Sequence, residues 1–247
     1  HWEGYTNAPF PEDFEPEQID EIIDMAMRRS VRYKRLKSQG KTIEQIRKVF
    51  NTKTEMKLFS WNGKKDTVLS PRDSLVYSKY FLHSGLMSMQ PKTGHVKAYV
   101  GGINYENFQY DHVTSGKRQV GSTFKPFLYS LAIQEGYDPC FQVPNVPVVF
   151  DKYKWRLEKD WTPKNSGSEE LEGLTLSLKY GLANSINTVT AYIMKQFGPH
   201  AVVDLAKKIG VKSKILAVPS LCLGTFDLSV YEMVGAYSTF SNKGVWV

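Results

Sequence analysis

The heptapeptide Gly121-Ser122-Thr123-Phe124-Lys125-Pro126-Phe127 constrains this chain more than any other stretch, because Pro126 admits few backbone settings. Proline lacks an N–H and has a fixed φ, so within a helix it belongs to the first turn. Helical residues three apart share one side, which brings the Ser122 hydroxyl and the Lys125 amine together at a helix start. There the unpaired N–H groups and the macrodipole favour negative charge, including a developing oxyanion. A lysine whose ammonium is desolvated can lose its proton near neutral pH and then take one from a serine. The reading is an acyl-transferring serine that works without a histidine.

The spacing alone is a weak signal, since Ser38 to Lys41 repeats it across Gly40 at an expected helix break. Its company carries more weight. Upstream lies Pro91-Lys92-Thr93-Gly94-His95-Val96-Lys97-Ala98-Tyr99-Val100-Gly101-Gly102, and the serine itself sits in Arg118-Gln119-Val120-Gly121-Ser122-Thr123-Phe124-Lys125-Pro126-Phe127. Downstream come Ser185-Ile186-Asn187, Leu223-Gly224-Thr225 and the run from Gly235 to Gly244. In this order they resemble the transpeptidase domain of class A penicillin-binding proteins, from about Met56 to the last residue.

That resemblance implies an α+β fold of the penicillin-binding protein and serine β-lactamase type, with helices packed on an antiparallel sheet. It implies a peptidoglycan D,D-transpeptidase that cross-links stem peptides through a serine acyl-enzyme and is inhibited by β-lactams. Ser122 would be the nucleophile, Lys125 its base, Ser185 a proton relay to the leaving amine, and Asn187 a partner of Lys125 and the substrate amide. Trp161-Thr162-Pro163-Lys164-Asn165 resembles the family's aromatic-x-Pro-x-Asn loop, so Gly121, Trp161 and Asn165 are the expected substrate-binding positions. No cofactor is implied. Members are anchored in the membrane and work outside the cytoplasm, which points to the periplasmic face of the bacterial inner membrane and to cell-wall assembly partners. An anchor and a glycan-polymerising domain are therefore expected to lie outside these residues.

One family element is missing. A Lys-Thr-Gly strand should follow the Ser-x-Asn motif and supply the second oxyanion donor, yet nothing between Asn187 and Val247 reads that way. Lys92-Thr93-Gly94 has the letters but precedes the nucleophile, between two alternating runs, where Gly94 suits a hairpin turn. The domain is thus expected to be partial and this piece, by itself, a poor enzyme. A serine β-lactamase is the alternative enzyme, with Glu169, Glu170 and Glu172 as the acidic patch between motifs. A non-catalytic β-lactam sensor or scaffold is the alternative outside enzymes.

Composition narrows the rest. At 247 residues and 41% hydrophobic content the chain can build a sizeable core in one or two domains. Cys140 and Cys222 are too few for a disulfide framework and lack zinc-ligand spacing, and two buried free thiols are expected. The histidines are scattered, so no metal site is expected. Between Arg28 and Lys57 eleven Lys or Arg face only Glu44 and Glu55, a local balance of +9 within a chain of net +7. Sparse aromatic interleaving argues against nucleic acid. Anionic lipid or wall polymer is a second reading, and a solvated helical face is the one favoured.

Residues 1–55 are expected to form a helical lead-in and 56–247 the partial transpeptidase domain. An amphipathic helix should run from near Ile19 to Gln39, and Thr42-x-x-Gln45 should cap a shorter one. Asn62-Gly63 marks a hairpin. Helices are further expected over about Ser74–Ser84, Ser122–Glu135, Leu176–Asn184 and Thr188–Phe197, the last stopped by Gly198-Pro199. Ser229-x-x-Glu232 should cap the final helix.

Overall fold

The computed structural model describes residues 5–167 and 169–247, with the side chain of Glu169 also outside the description. The chain divides into two compact units, His1–His83 and Ser84–Val247. This division falls downstream of the expected one between residues 55 and 56, for a packing reason. The first unit comprises α1 (Pro16–Arg29), α2 (Val31–Ser38), α3 (Ile43–Asn51), the hairpin β1 (Thr54–Ser60) and β2 (Gly63–Leu69), and α4 (Pro71–Lys79). Helix α4 packs on α1 and α3, and its Leu75 adds to a core of Met27, Tyr33, Leu36, Ile46 and Phe50. The hairpin between α3 and α4 is thereby held in this unit.

Local chemistry accounts for these boundaries. The expected helix to Gln39 is broken at Ser30, whose extended backbone ends α1 and whose Oγ accepts from Tyr33 N at 3.2 Å to begin α2. The apolar period runs on through Tyr33 and Leu36, so periodicity hides the break. Thr42 and Gln45 form the expected capping box of α3. Ser60 pairs with Gly63 across Trp61-Asn62, and Gly63 takes φ 105°, a setting that favours glycine.

The second unit begins with the hairpin β3 (Leu86–Met89) and β4 (Val96–Val100), turned at Gly94 with φ 71°. Then follow β5 (Lys117–Gln119), a 3-10 turn (Gly121–Phe124), α5 (Lys125–Gln134), β6 (Gln142–Pro144) and the single turn α6 (Lys152–Trp155). After a 3-10 turn at Glu169–Leu171 come β7 (Thr175–Ser177), α7 (Leu178–Ala183) and α8 (Asn187–Lys208), which is broken at Gly198 with φ 76° just before Pro199. A 3-10 segment (Pro219–Leu223), β8 (Asp227–Ser229) and α9 (Val230–Ser241), capped by Ser229 and Glu232, complete it.

The class is α+β, and every ladder is antiparallel. In place of one sheet, the described strands pair as separate two-stranded ladders, β1–β2, β3–β4, β5–β8 and β6–β7. The core of the second unit is mainly helical, with α5 and α8 packed together and on the 3-10 segment at 219–223. Phe124, Phe127, Leu128, Val189, Ile193, Met194 and Leu221 are essentially inaccessible there. Of the two cysteines, Cys222 is buried as expected, but Cys140 is exposed, on the turn before β6; both are free.

The first unit rests on a small core, so one deletion in it should be felt locally. Phe50→Ala, at 2% exposed, should cost about 3–5 kcal/mol. Hydrogen exchange should then accelerate over α1–α3 while α5 and α8 keep their protection; uniform loss would show that the units open as one.

Candidate active site

The nucleophile segment is built by a ladder that overruns its strand. β5 pairs with β8 from Lys117 opposite Ser229 to Gln119 opposite Asp227, and two more bonds continue it: Val120 N to Phe226 O and Gly121 N to Gly224 O, both 3.0 Å. Gly121 then takes φ 55° and turns the chain into the 3-10 segment. The close approach depends on Gly224 as well. A Cβ on Gly224, which has φ 68°, would stand 2.0 Å from Gly121 O. On the other side Tyr237 of α9 donates its hydroxyl to Thr123 O at 2.5 Å.

This turn places the pair. The α-helix begins at Lys125, with Pro126 in its first turn, so Ser122 lies in the preceding 3-10 turn rather than in the helix proper. Three residues per turn make positions three apart eclipse, which puts Ser122 and Lys125 over one another more directly than α geometry would. The bonds of the turn use the N–H groups of Val120, Gly121 and Thr123. Among the described residues none of them engages the N–H of Ser122, which leaves it available as an oxyanion donor.

Ser122 is exposed and Lys125 is 1% exposed. Lys125 Nζ donates to Ser185 O at 2.6 Å, to Asn187 Oδ1 at 2.6 Å and to Ser185 Oγ at 2.9 Å. Ser185 Oγ in turn donates to Ser122 Oγ at 3.0 Å. Lys125 and Ser122 therefore meet through Ser185, each within hydrogen-bond distance of the same hydroxyl. Burial lowers the Lys125 pKa from 10.5 to about 8, opposed by neighbouring Cys222, whose own thiol is pushed up to about 12 by burial.

The acceptors come from the start of α8. Ser185 is left-handed at φ 54°, and its carbonyl and hydroxyl both serve Lys125. Ile186 occupies the N-cap and offers no polar side chain. Its place is filled from another loop: Asn165 Oδ1 accepts from Asn187 N at 2.9 Å and Thr188 N at 3.1 Å. Asn187 Nδ2 donates to Lys164 O at 2.7 Å, which fixes its amide with the oxygen toward Lys125. Asn165 Nδ2 reaches Asn145 Oδ1 at 3.0 Å, and Asn145, 2% exposed, also receives the Thr188 hydroxyl and donates to Leu171 O.

The structure thus brings Ser122, Lys125, Ser185 and Asn187 into one hydrogen-bonded cluster. Gly121 supplies the turn before the nucleophile. Asn165 spends its amide within the protein, capping α8, and Trp161 packs its ring on Phe150 with centroids 5.3 Å apart. Gly224, Tyr237, Asn145 and Thr188 had escaped assignment. Gly224 and Tyr237 lie in segments whose sequence already carried the resemblance, and Thr188 follows Asn187 directly; Asn145 joins the site through contacts remote in sequence. Glu170 and Glu172 are exposed, and neither bonds to the cluster. Among the described residues no group of His, Cys, Asp and Glu could hold a metal.

Comparison with known proteins gives the family. Residues 85–247 match the model of the penicillin binding protein transpeptidase domain, and residues 5–82 that of the penicillin-binding protein middle domain. The chain belongs to the penicillin-binding protein transpeptidase family. Over 163 residues it is 36% identical to penicillin-binding protein 1A of Pseudomonas aeruginosa, covering 65% of this chain and 19% of that protein. Penicillin-binding protein 2D of Bacillus subtilis is 32% identical over 164 residues, 65% of this chain and 23% of the relative. The crystal structure of penicillin-binding protein 1A from Haemophilus influenzae superposes with a TM-score of 0.60 at 30% identity, over 65% of this chain and 23% of that one. The chain thus spans about a fifth of the length of the penicillin-binding proteins it resembles.

In this member the Gly121–Gly224 approach should be a sensitive point. Gly224→Ala must move the nucleophile turn, and penicillin acylation should fall at least about tenfold, alongside the roughly 1–2 kcal/mol cost of a left-handed non-glycine residue. Gly173→Ala is the control, with φ 77° but no atom within 4 Å of the added Cβ. It should lose stability alone; equal acylation losses in both would refute the steric account.

Proposed function

We propose that Ser122 is acylated by peptidoglycan stem peptides, as a D,D-transpeptidase nucleophile, and by β-lactams that mimic their scissile amide. The observation that carries this reading is the continuous hydrogen-bonded path from a buried lysine, through Ser185, to an exposed serine. Neutral Lys125 accepts a proton from Ser185, which takes one from Ser122 as its Oγ bonds to the carbonyl carbon. The Ser122 N–H stabilises the developing oxyanion. Collapse expels the amine, which receives the proton back from the Lys125 ammonium through Ser185. An acceptor amine then attacks the ester, the same relay removes its proton, and Ser122 is released.

Asn187 has its oxygen on Lys125 and its nitrogen on Lys164 O, so it holds the base in register. Of the carboxylates considered for a hydrolytic base, Glu170 and Glu172 are exposed and bond to no member of the cluster, and the side chain of Glu169 lies outside the described residues. The family setting supports a periplasmic site of action, a membrane-anchored parent and cell-wall assembly partners. No described helix is long and apolar enough to cross a membrane.

Intact-mass measurement after incubation with benzylpenicillin should show one drug equivalent on the chain. Slow acylation suffices, because the adduct accumulates. Ser122→Ala should remove the adduct; persistence of the adduct would disprove the assignment. The acylation rate should rise with pH and level off above about pH 8, because only the neutral amine can accept the proton and burial sets its pKa there. A flat profile between pH 6 and about 9 would remove Lys125 as the base.

A further inference from the structure

The cations between Arg28 and Lys57 are unequally neutralised. Asp24 is held by Arg47 at 2.5 Å, Asp20 by Arg72, and Lys57 stands 3.9 Å from Asp66. Among the described residues no carboxylate pairs with the cations from Arg28 to Lys41. The unpaired charge is concentrated on the last turn of α1 and on α2.

Both helices display it in the same pattern. Helix α1 buries Ile23 and Met27, which leaves Met25, Arg28 and Arg29 exposed, the cations three and four positions after the methionine. Helix α2 buries Tyr33 and Leu36 and exposes Val31, Lys34 and Arg35 in the same spacing. Residues so spaced share a helix face. Met25 is 50% and Val31 82% exposed. Glu21 shares the face of α1 one turn earlier, so its cationic part begins at Arg28.

An isolated exposed apolar residue is ordinary. Two successive faces that each carry an exposed aliphatic group one turn before a pair of long cations are suited to an interface, because such stems cover apolar surface while their charged heads stay among polar groups. At a bilayer surface the aliphatic group enters the headgroup and acyl boundary, and the cations meet phosphate. We propose that the exposed sides of α1 and α2 that carry Met25, Arg28, Arg29, Val31, Lys34 and Arg35 dock on anionic phospholipid. This replaces the solvated face expected from sequence. Single-stranded nucleic acid favours aromatic rings for stacking, and these faces carry none. A hydrophilic wall polymer would gain nothing from Met25 and Val31.

The 247-residue chain should co-sediment with vesicles of equal parts phosphatidylcholine and phosphatidylglycerol, more weakly as salt rises, and not with phosphatidylcholine alone. Each cation near an anionic surface contributes about fivefold, so replacing Arg28, Arg29, Lys34 and Arg35 by Gln should weaken binding a hundredfold or more. Met25→Ser with Val31→Ser keeps the charge; it should weaken vesicle binding several-fold and leave binding to soluble polyphosphate unchanged. Two results would overturn the proposal. One is no binding to the anionic vesicles at low salt. The other is wild-type vesicle binding by the serine pair, which would reduce the face to a general polyanion surface.

Discussion

The buried amine of Lys125 is the interaction on which the second unit depends. A charge moved from water into a protein interior must find partners, and these must already be in place when the chain closes over it. Here they all come from the start of α8: a carbonyl, a hydroxyl and an amide oxygen between Ser185 and Asn187. Those three atoms can converge only if Ser185 is left-handed and the Asn187 amide is turned with its oxygen inward. The lysine thus dictates the conformation of a helix start sixty residues downstream.

That helix start needs support of its own. Ile186 is buried against the core and cannot cap, so the first N–H groups of α8 are served by Asn165 from a separate loop. Asn165 is held by Asn145, which is held by the Leu171 carbonyl and Thr188. Every member of this network has a partner, and no described buried side-chain polar atom is left without one. A fully satisfied buried network rigidifies what it connects, and a half-satisfied one is costly. The amides therefore hold the proton relay in register without taking part in it.

The sequence made the reacting groups legible because their chemistry is short-range. Ser122, Lys125 and Pro126 lie within five positions, and Ser185 and Asn187 within three. The same holds for the capping pairs Thr42–Gln45 and Ser229–Glu232 and for the Gly198-Pro199 break. What escaped is long-range. Nothing local to Asn145 says that a buried asparagine there will brace Asn165, and nothing near Leu75 says that α4 will pack back on α1 and α3. The break at Ser30 escaped for another reason: the apolar period is continuous across it, and only the serine's local bonds interrupt the helix.

The relay also explains how one lysine can serve as base and then as acid without rearrangement. As an ammonium it has three donors and three acceptors in reach; burial lowers its pKa to about 8, opposed by neighbouring Cys222. As an amine it keeps two donors, for the Ser185 carbonyl and Asn187, and offers its lone pair to the Ser185 hydroxyl. Between these states no heavy atom has to move: the hydroxyl hydrogens of Ser185 and Ser122 reverse direction along contacts of 2.9 and 3.0 Å. A base exposed to water would keep its ordinary pKa near 10.5 and remain almost wholly protonated at neutral pH. One buried without acceptors would be neutral but unable to hold the proton it takes. Lys125 lies between these limits: burial brings its pKa to about 8, and the three oxygens at the start of α8 accept its protons, so uptake and return are both accessible.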